Sequence, residues 1–305
     1  MSLSFIDLFA GVGGTRLAFE SQGMDCVFSS EWDIQAQRVY EANFHVRPHG
    51  DITEISARSI PKFDILVAGF PCQPFSSIGL GQGFAHETQG TLFFEICRIL
   101  DEKKPKAFLL ENVVGLINND RGRTFKLIQD SLLDLGYKLH FRVLDSSHFG
   151  VPQKRRRVYI VGFRTKASSI KFEFPEPNFE GADFSPFIEW GAEGYEISEH
   201  LQSSYIFKID DGRPQVLERD WEGPINTLLS SYYKVQRLTG TYVRDGRTGL
   251  RLLSRNESLA AMGFPADFLL PTSRMRVYKL LGNSVAVPVV AEIAKKIKIA
   301  LTSSS

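Results

Sequence analysis

One pattern repeats through roughly the first 165 residues, and it restricts the fold more than any other feature of the chain. A short apolar run stops at Gly, Pro or an acidic residue, and a stretch with helical spacing follows. The runs Phe5 to Phe9, Cys26 to Ser29, Asp64 to Ala68, Ala107 to Leu110, Tyr137 to Leu144 and Val158 to Phe163 read as strands. Helical spacing is found near Thr15 to Ser21, Ile34 to Asn43, Leu92 to Leu100 and Thr124 to Leu135. Strands alternating with helices predict an α/β, doubly wound, mostly parallel sheet. In such sheets the chemistry gathers in loops at the carboxyl ends of the strands.

The alternation stops near Phe174, where FPEPNF, GADFSPF and DDGRP are loop-rich and acidic. Residues 175–253 are expected to form a second, smaller, mostly β or irregular module, with short strand-like pieces such as INTLLSSYY and GTYVR. Residues 1–174, completed by 282–305, would make the larger domain, with 254–281 as connecting helices. Ser254 is suited to cap SRNESLAAMGF, with Glu257 at the third helical position.

Charge is segregated rather than abundant. The formal net charge is +1, yet Glu173 to Glu222 holds 13 acidic and 3 basic residues. Lys154 to Arg157 and the stretch from Lys234 to Arg255 are basic, a distribution that can present a local phosphate-binding face. Three widely spaced cysteines argue against a disulfide framework and against a cysteine zinc site. With no long apolar segment and no signal-like N-terminus, the expected location is the cytosol, with no membrane contact.

Four local patterns carry candidate chemistry. FIDLFAGVGG runs a strand into a glycine turn, and Glu31 follows at the end of the next strand, where a carboxylate can accept from ribose hydroxyls. The pattern suits a dinucleotide dehydrogenase nearly as well as a nucleoside-binding methyltransferase. Arg16 in place of a last glycine, the aromatic face of Trp32 and the extra acceptor Asp51 favour the second. GFPCQPFS places Cys72 in a tight turn after an apolar run, where a thiol can act as a nucleophile once its proton is removed. Glu111, in ENV, ends another such run, and a carboxyl at an apolar rim can hold its proton to higher pH. In QKRRRVYIVG, Arg155 and Arg157 point to one face of a strand and Arg156 to the other.

FIDLFAGVGG, Glu31-Trp32, GDI, GFPCQPFS, ENV, QKRRR and GNSV stand in an order that resembles the cytosine-5 DNA methyltransferases of the bacterial restriction-modification type. The resemblance covers residues 1 to about 165 and 250 to about 300. It implies a Rossmann-like methyltransferase domain, S-adenosylmethionine as cofactor and no metal. Cofactor contacts would come from Phe9, Gly11, Val12, Gly14, Glu31, Trp32, Asp51, Ile52, Gly69, Pro71, Leu92, Asn283 and Ser284. It further implies that Cys72 adds to carbon 6 of a flipped cytosine, that Glu111 meets ring nitrogen 3, and that Arg157, supported by Arg155, meets the base carbonyl.

The module at 175–253 would then be a target-recognition domain on duplex DNA. Gln73, Ser76, Thr227, Lys234, Arg237, Arg244 and Arg247 are the DNA-contact candidates, and residues 76–90 resemble the family's loop over the extruded base. A monomer and a cognate restriction endonuclease in the same system are also expected. A related enzyme acting on transfer RNA and a catalytically silent DNA-binding relative are the alternatives. The long module favours duplex DNA, and the presence of Cys72, Glu111 and Arg157 favours catalysis.

Overall fold

The computed structural model describes residues 2–70, 92–164, 171–178 and 181–303. Pro71, Cys72, Gln73 and Ser76, and the predicted loop at 76–90, lie outside the described residues.

The sheet is built from β1 (Ser4–Leu8), β2 (Asp25–Ser30), β3 (Ile65–Gly69), β4 (Ala107–Val113), β5 (Tyr137–Asp145) and β6 (Arg156–Arg164) in the order β2-β1-β3-β4-β6-β5. The β1–β2, β1–β3 and β3–β4 pairs are parallel, whereas β6 runs antiparallel to both β4 and β5. The sheet is therefore mostly parallel, with one reversed strand.

That reversal matters for the site. Val113 pairs with Arg157, so the start of β6 lies beside the end of β4. The arginines of QKRRR thus reach the edge where the parallel strands deliver their carboxyl ends.

Helices α1 (Gly14–Glu20), α2 (Ile34–Phe44), α3 (Leu92–Lys103), α4 (Gly115–Asn118) and α5 (Arg123–Asp134) connect the strands. Period-two alternation assigns the two faces. Phe5, Val67, Leu109 and Val161 pack on one side with Ala18 and Phe19 of α1. Ile6, Leu66, Phe108 and Ile160 pack on the other with Ile96 and Leu100 of α3 and Ile128 and Leu132 of α5. Both faces of β4 are covered, which is why it reads as a continuous apolar run.

Beyond Phe174 regular structure is sparse: the single turn α6 (Glu199–Leu201), and β7 (Gln215–Leu217) paired in parallel with β8 (Thr241–Val243). GTYVR supplies β8, as expected. INTLLSSYY does not form a strand; Ile225, Leu228 and Tyr232 bury their side chains at helix-like spacing instead. The fully buried Arg251 organises this region through Asp245 at 2.9 Å and Glu257 at 2.9 Å. Glu257 also completes the expected capping box with Ser254 at the start of α7 (Arg255–Met262). Helices α8 (Arg274–Gly282) and α9 (Val287–Thr302) finish the described chain. Val290, Ile293, Ala294 and Ile297 of α9 pack into the α1 side of the sheet, so the last helix belongs to the first core.

Candidate active site

Four segments meet at the carboxyl edge of the parallel strands. Directly after β1 stands Phe9, whose φ of 56° turns the chain sharply, a conformation rare for a bulky side chain. At Gly11, φ is 54° and an added Cβ would meet nothing within 4 Å, so this backbone borders open space. Glu31, at the end of β2, accepts from the Gly11 N–H through Oε2 and from the Asp33 N–H through Oε1, each at 2.8 Å. The carboxylate ties two loops together and keeps lone pairs free. Burial raises its pKa, opposed by these backbone donors.

Trp32 next to it is 72% exposed, an uncovered indole face. Asp51 caps a 3-10 turn through the Thr53 N–H at 2.9 Å, and Ile52 beneath it is buried. An indole face, two carboxylates and a bare glycine edge can hold a nucleoside with an amino-acid tail.

At Gly14 a Cβ would stand 2.8 Å from Ser284 Oγ and 3.0 Å from Phe264 Cζ, so the missing side chain admits the segment that carries Ser284. Val12 is likewise buried, against Ala36 and Val39 of α2. Asn283 is exposed, Ser284 is nearly buried, and Leu92 opens α3.

The second half of the site is acidic and basic by turns. Gly69 pairs with Glu111 in register, so β3 ends directly beside this carboxyl, three residues before Cys72 in the sequence. Glu111 lies two residues inside the end of β4, since the strand continues to Val113. Its Oε1 is 3.0 Å from Arg157 Nε. Burial raises the Glu111 pKa, and Arg157 and Arg155 pull it partly back.

Arg155, expected to support Arg157, is buried behind it. Its guanidinium donates to the carbonyls of Leu228 (3.2 Å), Gly282 (2.9 Å) and Ser284 (2.6 Å), so it fastens three chain segments. Of the remaining cysteines, burial pushes both the Cys26 and Cys97 thiols up to about 12, which leaves them protonated and inert at neutral pH.

The DNA-contact candidates divide. Lys234 and Arg247 are exposed, as are Lys154 and Arg156. Arg244 is exposed but pairs with Glu218 at 3.2 Å. Arg237 is a correction: it is buried and donates to Asp211 and to the Ile209 carbonyl, holding a loop rather than facing solvent. The Thr227 hydroxyl donates to the Lys154 carbonyl at 2.5 Å.

Sequence reasoning quoted three residues without giving them work. Asn112 of ENV is buried and donates to the Phe70 carbonyl at 2.9 Å, which pins the chain as it leaves β3. Gln153 of QKRRR is fully buried between two segments. Asp7 of FIDLF is fully buried, and burial holds its carboxyl well above the usual range. The available signal was a polar residue inside an otherwise apolar or basic motif.

The family model for C-5 cytosine-specific DNA methylase matches residues 3–299. The chain is 55% identical over 297 residues to the type II methyltransferase M.MspI of a Moraxella species, covering 97% of this chain and 71% of that protein. Its identity to M.BsuFI of Bacillus subtilis is 51% over 299 residues, covering 98% and 73% of the two chains. A crystal structure of a Spodoptera frugiperda DNMT2 mutant superposes with a TM-score of 0.79 at 23% identity, covering 98% of this chain and 100% of that one, a likeness of fold. No helix among the described residues is long and apolar enough to cross a membrane.

Proposed function

From the premise that the chain belongs to the C-5 cytosine-specific DNA methylase family, we propose that it methylates carbon 5 of one cytosine in a specific duplex DNA sequence, with S-adenosylmethionine as donor and Cys72 as nucleophile. The observation that carries this reading is the Glu111–Arg157 pair, set at the edge where β3 ends, three residues before Cys72 in the sequence.

Carbon 5 of cytosine is a poor nucleophile. Addition of the Cys72 thiolate to carbon 6 forms a sulfur–carbon bond and moves an electron pair toward carbon 5. Glu111, with its raised pKa, protonates ring nitrogen 3 as charge builds there. Arg157 holds the Glu111 carboxyl in place and meets the base carbonyl. S-Adenosylmethionine supplies, when bound, the sulfonium methyl that carbon 5 takes. A base, for which a bound water suffices, then takes the carbon-5 proton; the freed electron pair restores the double bond and expels the Cys72 thiolate, and ring nitrogen 3 returns its proton to Glu111. None of these groups can reach a stacked base, so the target turns out of the duplex.

Phe9, Gly11, Glu31, Trp32 and Asp51 are the residues that would hold the cofactor. Residues 175–253 form the recognition module, with 1–174 and 282–305 as the catalytic part and 254–281 linking them. Lys154, Arg156, Lys234 and Arg247 are assigned to phosphates on the basis of their charge and exposure. Duplex DNA is the partner, met by a monomer, with a cognate endonuclease in the same system.

The test uses labelled S-adenosylmethionine with duplex DNA and, separately, transfer RNA. Label is expected in DNA; label confined to RNA overturns the substrate. A duplex carrying 5-fluorocytosine at the target is expected to trap the protein through Cys72, and Cys72→Ser to abolish the adduct while cofactor binding persists. Transfer surviving in Cys72→Ser overturns the nucleophile.

A further inference from the structure

Gln153 is fully buried, yet every strong hydrogen bond of its side chain leaves its own segment. Oε1 accepts from the Leu228 N–H at 2.6 Å, and Nε2 donates to the Ala261 carbonyl at 2.5 Å. Two residues on, Arg155 donates to the Leu228 carbonyl at 3.2 Å. The amide and the carbonyl of one residue, Leu228, are thus held by two side chains of one strand entry.

Backbone contacts reinforce the grip. Lys154 N–H donates to the Ile225 carbonyl at 2.8 Å and Ile225 N–H to the Pro152 carbonyl at 3.0 Å. On the far side there is no slack: a Cβ on Gly282 would lie 2.3 Å from the Ser230 nitrogen. The next residue on the same face, Arg157, holds Glu111. Adjacent same-face positions on a strand are about 6.6–6.8 Å apart. The segment at 225–230 therefore cannot shift without displacing the residues that lead into Arg157.

We propose that Gln153, acting with Arg155, clamps the Leu228 peptide and so registers the recognition module on the Glu111–Arg157 pair, making Gln153 a positioning residue that sets discrimination between the correct DNA site and near-matches. The proposal rests on the methyltransferase reading above. Its physical content is that a buried amide with both ends engaged fixes a distance, whereas an apolar side chain of the same size only fills space. A module held in register brings Thr227 and the catalytic pair to the DNA together; a module free to slide accepts a wrong base pair without withdrawing Glu111.

The test compares wild type, Gln153→Met and Gln153→Glu on the methylated duplex sequence, identified by bisulfite sequencing, and on duplexes with one base pair changed. Methionine conserves volume and loses both bonds; glutamate, kept protonated by burial against the Ala261 carbonyl, still accepts from the Leu228 N–H and donates to that carbonyl. In Gln153→Met the ratio of kcat/KM between correct and altered duplexes is expected to fall by about tenfold, the worth of one well-placed contact. The dissociation constant for S-adenosylmethionine should stay within about twofold of wild type, since Gln153 does not border the cofactor face. Gln153→Glu is expected to keep most of the wild-type ratio.

An unchanged ratio in Gln153→Met, or an equal fall in Met and Glu, overturns the clamp. Should Gln153→Met not fold, Gln153→Asn, too short by one carbon to span both partners, is expected to show the same fall, and an unchanged ratio there overturns it. A wild-type protein that transfers no methyl to duplex DNA overturns the functional reading and the clamp together. A wild type that transfers, with variants that discriminate equally well, overturns the clamp alone.

Discussion

Arg157 Nε lies 3.0 Å from Glu111 Oε1 across the β4–β6 pair, with the two side chains 14% and 15% exposed. The pair places a buried carboxyl under the control of a fixed positive charge. Two opposing influences act on Glu111: burial raises its pKa, and the guanidinium draws it down, with burial the stronger.

The sign of the pH dependence follows. A carboxyl with a raised pKa keeps its proton to higher pH, so proton donation is fullest at low pH and declines as pH rises through that raised value. Single-turnover methyl transfer by cofactor-loaded protein should show this decline with rising pH. Arg157→Leu removes the influence that lowers the pKa, so the decline should move to higher pH while the maximal rate falls. Glu111→Gln should lower the rate by roughly 10²–10⁴-fold and erase the decline. A decline that stays in place in Glu111→Gln belongs to another group.

The thiols should react unequally. Cys26 and Cys97 are held near 12, so alkylation of the folded protein near neutral pH should label neither at an appreciable rate. Peptide mapping after brief iodoacetamide treatment should find label at Cys72 first, with parallel loss of transfer. Early label at Cys26 would contradict its burial.

Glu31→Gln keeps one acceptor and loses the other, so either the Gly11 or the Asp33 N–H is left without its partner. The substitution also removes the charged acceptor offered to the ribose hydroxyls; a hydrogen bond to a charged group is worth about 1.5–3 kcal/mol, so S-adenosylmethionine binding should weaken roughly tenfold or more. Calorimetric titration measures this. A dissociation constant equal to wild type would remove Glu31 from the cofactor site.

Arg251 is fully buried with Asp245 and Glu257 around it. Arg251→Met strands two carboxylates, and breaking a buried ion pair costs about 3–5 kcal/mol. Urea unfolding should show a loss of that order. A loss within about 0.5 kcal/mol would mean that the network contributes no more than an ordinary surface residue.

Most of the sheet was legible because its strands are covered on both sides, so Ala107 to Leu110 and Val158 to Phe163 stand out as unbroken apolar runs. The direction of β6 was not legible: an apolar run carries no sign of its orientation, and only pairing with β4 reveals why its arginines arrive at the active edge. INTLLSSYY misled because its strand-like pairing stops at a single bridge from Ile225 to Gln153, and the Leu228 N–H and carbonyl are met by the side chains of Gln153 and Arg155. Arg237 misled for a related reason, since a long cation reads alike whether it faces solvent or lies buried beneath a loop whose carboxylate, Asp211, it holds. Period two correctly separated Arg155 and Arg157 from Arg156, yet could not say that Arg155 would meet carbonyls where Arg157 meets Glu111.

The seating of α9 against α1 has a consequence for synthesis. The hydrophobic floor under the glycine turn stays open until residues 287–302 have left the ribosome, because Val290, Ile293 and Ile297 supply it from the far end of the chain. A growing polypeptide therefore exposes an unfinished surface for most of its translation.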